Sequence, residues 1–175
     1  SKRFQQERFI LSQLLVMALK GVPAFYLPAL LGSENDIKKF SMTGERRDLN
    51  REKFEFDKLL IELEDKNSIA SKNLRILSEA MKIRSKIKSF HPSAKMKCLT
   101  KDRREVVAIQ RGFEKSSICA IHNMTDNKLD FSIEDSFKSS LKDEFIYCDY
   151  LSGKQYSNLN FVLDPFQVLW IGKYK

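Results

Sequence analysis

The spacing of apolar residues changes at Pro92, and this change constrains the fold more than any other feature of the chain. Before Pro92 the apolar residues recur about every 3.6 residues, as on one face of a helix, and after it they alternate with a period of about 2, as in a strand. The pattern therefore predicts a helical part over residues 1–91 and an all-β part over residues 92–175. Because proline disfavours helical backbone in the residue before it, His91 and Pro92 should stop the last helix after Phe90.

Three helices are predicted before Pro92. Residues 7–20 are apolar almost all round, which predicts a helix buried against several neighbours. Residues 54–63 form a shorter helix whose inward side chains would be Phe56, Leu59, Leu60 and Leu63. Residues 68–90 combine a broad apolar face with a basic opposite side, and Ser68 or Ser71 is the candidate N-cap.

After Pro92, short alternating segments separated by turn residues predict a small antiparallel sandwich. The predicted strands are residues 95–100, 105–111, 116–122, 129–133, 144–150 and 160–171. Trp170 lies in the strongly apolar last strand, so a core position is predicted for it.

Between the first two helices lies the run GVPAFYLPALLGSENDIKKFSMTGERRDLNR, residues 21–51. Gly21 would stop the first helix, and residues 22–27 form a mostly apolar run suited to a strand buried on both faces. Pro28 ends that run, and a long loop follows over residues 28–51, which is polar from Ser33 to Arg51. Loops of this length are uncommon without a function, so this one is the candidate functional loop.

This run resembles the closing segment of an α-amylase-type (β/α)8 barrel. Together with TGERRDLNREKF, RSKIKSFHP, YLSGK and LDPFQVLWI, it follows the order and spacing of the sucrose phosphorylase group, which includes glucosylglycerate phosphorylases. RDLNR, residues 47–51, is the most specific run, and LNREKF favours the glucosylglycerate-type members. The resemblance implies an α+β fragment: the last β/α unit of the barrel over residues 1–91, with substrate loop 28–51, and then an antiparallel C-terminal β domain over residues 92–175.

The resemblance also implies an activity. Enzymes of this group pass glucose from an α-glucoside to inorganic phosphate with retention, which needs two carboxylates about 5 Å apart. The family places those carboxylates on earlier barrel strands, so we expect this chain to hold no catalytic residue, metal site or cofactor. Its expected partners are the α-glucoside, phosphate and the missing N-terminal barrel segment, in the cytoplasm and without a membrane.

Six residues are candidates for substrate binding, because substrate contacts in such barrels follow the strand ends. Arg47 matches the family arginine that faces the glucose subsite, and a guanidinium group can hold hydroxyl and phosphate oxygens bidentately. Arg51 could instead pair within the protein, as could Asp48 with a neighbouring arginine. The other candidates also have structural alternatives, as a helix cap for Glu34, Asn35 and Asp36 and as core for Tyr26.

Two other interpretations remain open. The chain could be a non-catalytic truncated or split gene product. Its net charge of +8 would also suit a basic nucleic-acid-binding module, with a basic run at Lys82, Arg84, Lys86 and Lys88. That run alternates with isoleucines as a solvated helix face does, and it has no accompanying nucleic-acid-binding motif.

The three cysteines, Cys98, Cys119 and Cys148, are odd in number and widely spaced. This pattern predicts three buried thiols in a reducing compartment rather than a zinc site or a disulfide framework.

Overall fold

The computed structural model describes residues 3–50, 53–112, 117–133 and 146–174. The chain divides into two compact units, the smaller formed by Ala24–Glu79 and the larger by Ser1–Pro23 with Ala80–Lys175. The helices are α1 (Gln5–Ala18), α2 (Leu27–Leu31), α3 (Ile37–Thr43), α4 (Phe56–Glu64) and α5 (Ile69–Lys86), with 3₁₀ helices at Arg46–Asn50 and Lys88–Phe90. The strands are β1 (Met96–Cys98), β2 (Val106–Arg111), β3 (Ile118–Asn123), β4 (Leu129–Ser132), β5 (Tyr147–Asp149), β6 (Gln155–Tyr156), β7 (Asn160–Leu163) and β8 (Val168–Lys173).

The larger unit contains two antiparallel sheets that share one core. The first has the strand order β1-β2-β3-β8-β5-β6, and the second pairs β4 with β7. In β7 the buried Phe161 and Leu163 alternate with exposed neighbours, which is typical of a sheet with one solvated face. The core side chains include Val106, Ala108, Ile121, Phe131, Phe161, Leu163, Leu169 and Ile171. The predicted small antiparallel β domain is therefore confirmed.

The opposite face of the large sheet is also covered. Trp170 is fully buried, as predicted, and its ring centroid lies 4.7 Å from that of Phe90. Helix α1 lies against β3 and buries Leu11, Leu14 and Met17, whose spacing places them on one helix face. Because both faces are covered, every residue of β3 is buried. Helix α1 is thus part of the same compact unit as the sheet.

Two arginines bind the C-terminal end of α1. The last carbonyls of a helix lack partners within the helix and carry the negative end of its dipole. Arg84 and the fully buried Arg111 donate to carbonyls at this end and just after it, the acceptors being Met17, Ala18, Leu19 and Gly21. Arg111 Nη2 also donates to His91 O over 2.8 Å. Burial lowers the pKa of both arginines from its usual value.

The smaller unit contains α2, α3, α4 and the first part of α5, and side chains cap α3 and α5. Ser68 Oγ accepts from Ser71 N over 3.0 Å, which confirms Ser68 as the cap of α5. After α2, Gly32 has a φ of 72°, and a Cβ there would overlap the side-chain amide of Asn73, so a larger residue would be strained and would displace Asn73. No side chain of α3 or α4 is buried.

Three sequence predictions in the helical part need correction. Residues 22–27 do not form a strand, since none of the described residues pairs with them and α2 already begins at Leu27. A barrel strand requires neighbours on both edges. Helix α1 is not buried all round, because Val16 is 42% exposed. In α4, Phe56 and Leu60 were expected to point inward but are 71% and 44% exposed.

Two predictions in the β part and one in the basic run also need correction. The strand predicted over residues 160–171 is two strands, because Pro165 cannot donate to a ladder and Phe166 adopts a φ of 53°. Cys98 is exposed, whereas Cys119 and Cys148 are buried, and all three are free thiols. Arg84 is bonded to the end of α1 rather than solvated. None of the described helices has the length and apolarity to cross a membrane.

Candidate functional site

The predicted functional loop, residues 28–51, is largely helical where it is described. It contains most of α2, the whole of α3 and the 3₁₀ helix Arg46–Asn50, which we call the arginine turn. Asp36 caps α3, because its Oδ1 accepts from Lys39 N over 2.9 Å. This is the structural alternative that the sequence left open for Asp36.

The arginine turn is joined to the start of α3 through the backbone. Asp36 N donates to Leu49 O over 2.7 Å, which brings residues 34–36 beside the turn. Glu34 and Asn35 are exposed there. Three of the candidate residues, Glu34, Asn35 and Asp36, are therefore neighbours of the turn that carries Arg47.

A side-chain network holds the other side of the turn. Lys39 Nζ lies 2.9 Å from Asp48 Oδ1, and Thr43 Oγ1 donates to Asp48 Oδ2 over 2.8 Å. These hydrogen bonds, first from Lys39 and then from Thr43, lower the pKa of the Asp48 carboxyl below its usual value. The sequence suggested a neighbouring arginine as the partner of Asp48; among the described residues its bonded partners are a lysine and a threonine, and Arg51 lies outside them.

Arg47 lies on the outer side of the turn. Its side chain is 67% exposed, and its Nε lies 3.8 Å from a carboxylate oxygen of Glu45, itself 60% exposed. An ion pair this long and exposed contributes little energy. As far as the described residues are concerned, the guanidinium group is therefore available to bind hydroxyl, carboxylate or phosphate oxygens. Arg51 lies outside the described residues.

Tyr26 is placed apart from this group. It has extended backbone at the residue before α2, and its side chain is 52% exposed rather than in a core. Within the described residues, no hydrogen bond links Tyr26 to α3 or to the arginine turn. The structure therefore joins residues 34–36 to the turn of Arg47 but does not join Tyr26 to them.

Lys39 and Thr43 were missed by the sequence argument. Their spacing could have indicated the network, because residues four positions apart on a helix share a face and can bind the same carboxylate later in the chain. The described residues contain no group of three or more His, Cys, Asp and Glu side chains placed to hold a metal ion.

Comparison with curated proteins finds relatives of one kind. The chain is 30% identical over 164 residues to glucosylglycerate phosphorylase of Allomeiothermus silvanus, covering 94% of this chain and 26% of that protein. It is 26% identical over 164 residues to glucosylglycerate phosphorylase of Escherichia coli, covering 94% of this chain and 28% of that protein. The chain thus spans little more than a quarter of the length of these relatives. No protein-family model matches it.

Solved structures show the same fold. Trehalose-6-phosphate hydrolase of Bacillus licheniformis matches 99% of this chain with 40% of its own, at a TM-score of 0.70 and 14% identity. AmyP in complex with maltose matches 95% of this chain with 34% of its own, at a TM-score of 0.74 and 13% identity. The chain is thus a relative of the glucosylglycerate phosphorylases, and its fold matches the C-terminal region of α-amylase-family enzymes.

Proposed function

We propose that this chain is the C-terminal part of a retaining, glucosyl-transferring glycoside phosphorylase. Its substrates would be an α-glucoside, of the glucosylglycerate or sucrose type, and inorganic phosphate. The relation to glucosylglycerate phosphorylases over 94% of the chain is the observation that carries this proposal. A cytoplasmic setting is part of the same proposal.

In this proposal the chain contributes substrate contacts and the parent protein contributes the chemistry. The nucleophile and the acid/base carboxylate would lie on barrel strands upstream of Ser1, at the separation of about 5 Å that retention requires. Arg47 would bind glucose or phosphate oxygens in the finished site, which its exposure and weak ion pairing support. Arg51, Glu34, Asn35, Asp36 and Tyr26 remain proposed contacts of lower priority.

The test is Arg47→Ala in the parent enzyme, with Arg46→Ala as the matched control. Arg46 is the preceding exposed arginine of the same turn. We expect Arg47→Ala to lower kcat/KM for phosphorolysis about 100-fold, the scale of losing one preorganised charged contact. Arg46→Ala should remain within about threefold of wild type, as expected for a solvated charge. Equal, small effects of both substitutions would remove Arg47 from the site.

The alternative is a non-catalytic truncated or split gene product. The gene sequence upstream of Ser1 distinguishes the two, because an intact reading frame that encodes the barrel carboxylates supports the enzyme. Under either alternative the isolated chain should release no glucose 1-phosphate above a blank, and phosphate-dependent release would overturn the proposal that its catalytic carboxylates are missing. A third option, nucleic-acid binding, would require binding to duplex that weakens steeply with salt.

A further inference from the structure

Exposure differs sharply between two adjacent residues of the arginine turn. The side chain of Asp48 is 15% exposed, whereas that of Arg47 is 67% exposed. A 3₁₀ helix has about three residues per turn, so neighbouring side chains point about 120° apart. A carboxylate fixed on the inner side at position 48 therefore fixes the outward direction of position 47.

Asp48 is fixed by both of its oxygens. Oδ1 lies 2.9 Å from Lys39 Nζ, and Oδ2 accepts from Thr43 Oγ1 over 2.8 Å. Lys39 and Thr43 are one turn apart on α3, and Thr43 Oγ1 also lies 3.1 Å from Lys39 O. The carboxylate thus spans one full turn of α3, which restricts its position more than a single ion pair would.

The residues on either side of Arg47 are anchored as well. Before it, Glu45 N donates to Thr43 Oγ1 over 3.2 Å. After it, Asp48 N donates to Glu45 O over 2.9 Å, and Leu49 O accepts from Asp36 N over 2.7 Å. Arg47 is therefore an exposed side chain on a backbone that is held at points before and after it.

We propose that Asp48, with Lys39 and Thr43, is a positioning residue for Arg47, an inference that rests on the proposed substrate role of Arg47. Asp48 acts through the backbone, because the bonded partners it has among the described residues are Lys39 and Thr43 of α3. Ordering this backbone before substrate arrives removes part of the entropy cost of binding. Once substrate is bound, the same network keeps the guanidinium group within bonding distance of the substrate oxygens.

The first measurement is a double-mutant cycle in the parent enzyme. We expect Asp48→Asn and Thr43→Val each to lower kcat/KM about tenfold, on the scale of misplacing a binding group. Thr43→Ser keeps the hydroxyl group and should restore activity to within about twofold. In an Arg47→Ala background, Asp48→Asn should cost nothing further, since no side chain is left to position. Lys38→Met, a substitution of an exposed neighbour on α3, is the control.

The second measurement is amide hydrogen exchange in this chain by itself, which needs no catalysis. Asp48→Asn and Thr43→Val should speed exchange at residues 44–50 about tenfold and leave β3 unchanged, because the opening is local. Circular dichroism of each variant checks that the fold is retained.

The outcomes separate the two proposals. If Arg47→Ala is nearly silent, the substrate role of Arg47 fails and the positioning role fails with it. If Arg47→Ala is severe but Asp48→Asn and Thr43→Val are silent, or add fully to it, only the positioning role is overturned. Unchanged exchange at residues 44–50 in both variants would also overturn it.

Discussion

The two compact units are stabilised in different ways. The larger unit buries both faces of its main sheet, with Trp170 at 0% exposure on one side and Ile171 at 0% on the other. The smaller unit buries few apolar side chains, and Phe56 and Ile61 of α4 are 71% and 69% exposed. Its order comes from helix caps and from the bonds around Asp48. Short helices that bury few apolar side chains are marginal in water, so this unit should open far more readily than the larger one.

The difference in stability between the two units also concerns function. Under the proposed function, the weakly supported unit is the one that carries the substrate-binding arginine. Its exposed apolar side chains, among them Ile37, Met42, Phe56 and Ile61, would then be covered by the barrel segment of the parent. Exposed apolar surface of this kind commonly marks an interaction site.

The largest expected effect comes from truncating the core of the larger unit. Trp170→Ala removes a fully buried ring packed on Phe90 and should cost about 4 kcal/mol of unfolding free energy. The matched change in the smaller unit, Phe56→Ala, should alter stability by less than about 0.5 kcal/mol because the ring is exposed. Urea unfolding followed by far-ultraviolet circular dichroism measures both. Comparable losses would mean that the smaller unit has a core after all.

Local rules predicted much of the fold. The cap at Ser68 and the strands β2 and β3 follow from side-chain chemistry and residue spacing, which act between near neighbours. Pro165 could also have predicted the break between β7 and β8. The apolar residues on either side of it led instead to the prediction of one continuous strand. Residues 22–27 failed for the opposite reason, since a strand depends on partners that its own sequence does not specify.

The site was predicted less completely than the fold. Asp36 as a helix cap follows from its residue type and position. The network of Lys39, Thr43 and Asp48 was recoverable in principle, because two of its members lie on one face of α3. Arg111 was not recoverable, since it bonds Ala18 across 93 positions in the chain and no local pattern records that contact.

The next effect is a pH dependence confined to the larger unit. His122 is fully buried in β3, and burial lowers its pKa from 6.5 to about 4. Between pH 6.5 and 4 the unfolded chain binds a proton that the folded chain does not. The contribution of this histidine to the free energy of unfolding is therefore fully present above pH 6.5 and is lost as the pH falls toward 4. The expected loss is about 3 kcal/mol.

Denaturation at several pH values tests this dependence. His122→Leu should flatten the slope of stability against pH between pH 6.5 and 4, even if it lowers stability at neutral pH by removing the bond to Val107 O. His91→Gln, which changes an exposed histidine, should keep the full slope. An unchanged slope in His122→Leu would contradict the assignment. The protection of amide hydrogens within Ala24–Glu79, corrected for the intrinsic effect of pH on exchange, should not follow this pH dependence.

The smallest expected effect is a difference between the two units in the rate of limited proteolysis. This measurement also compares the two units most directly. Trypsin has exposed sites in both units, such as Arg46 and Lys53 in the smaller and Arg103 and Arg104 in the larger, so differences in rate report local opening rather than the supply of sites. Among the described residues, we expect cleavage within Ala24–Glu79 to be at least about tenfold faster than elsewhere. After that cleavage, α1 should stay bound to the β-sheet unit because it packs on β3 and because Arg111 and Arg84 hold the carbonyls at its end, and Arg111→Met should weaken its retention. Native mass spectrometry distinguishes this result from a stable fragment that begins near Pro92 and lacks α1, which would instead support the division predicted at residues 91 and 92. Equal cleavage rates in both units would contradict the difference in stability on which the comparison rests.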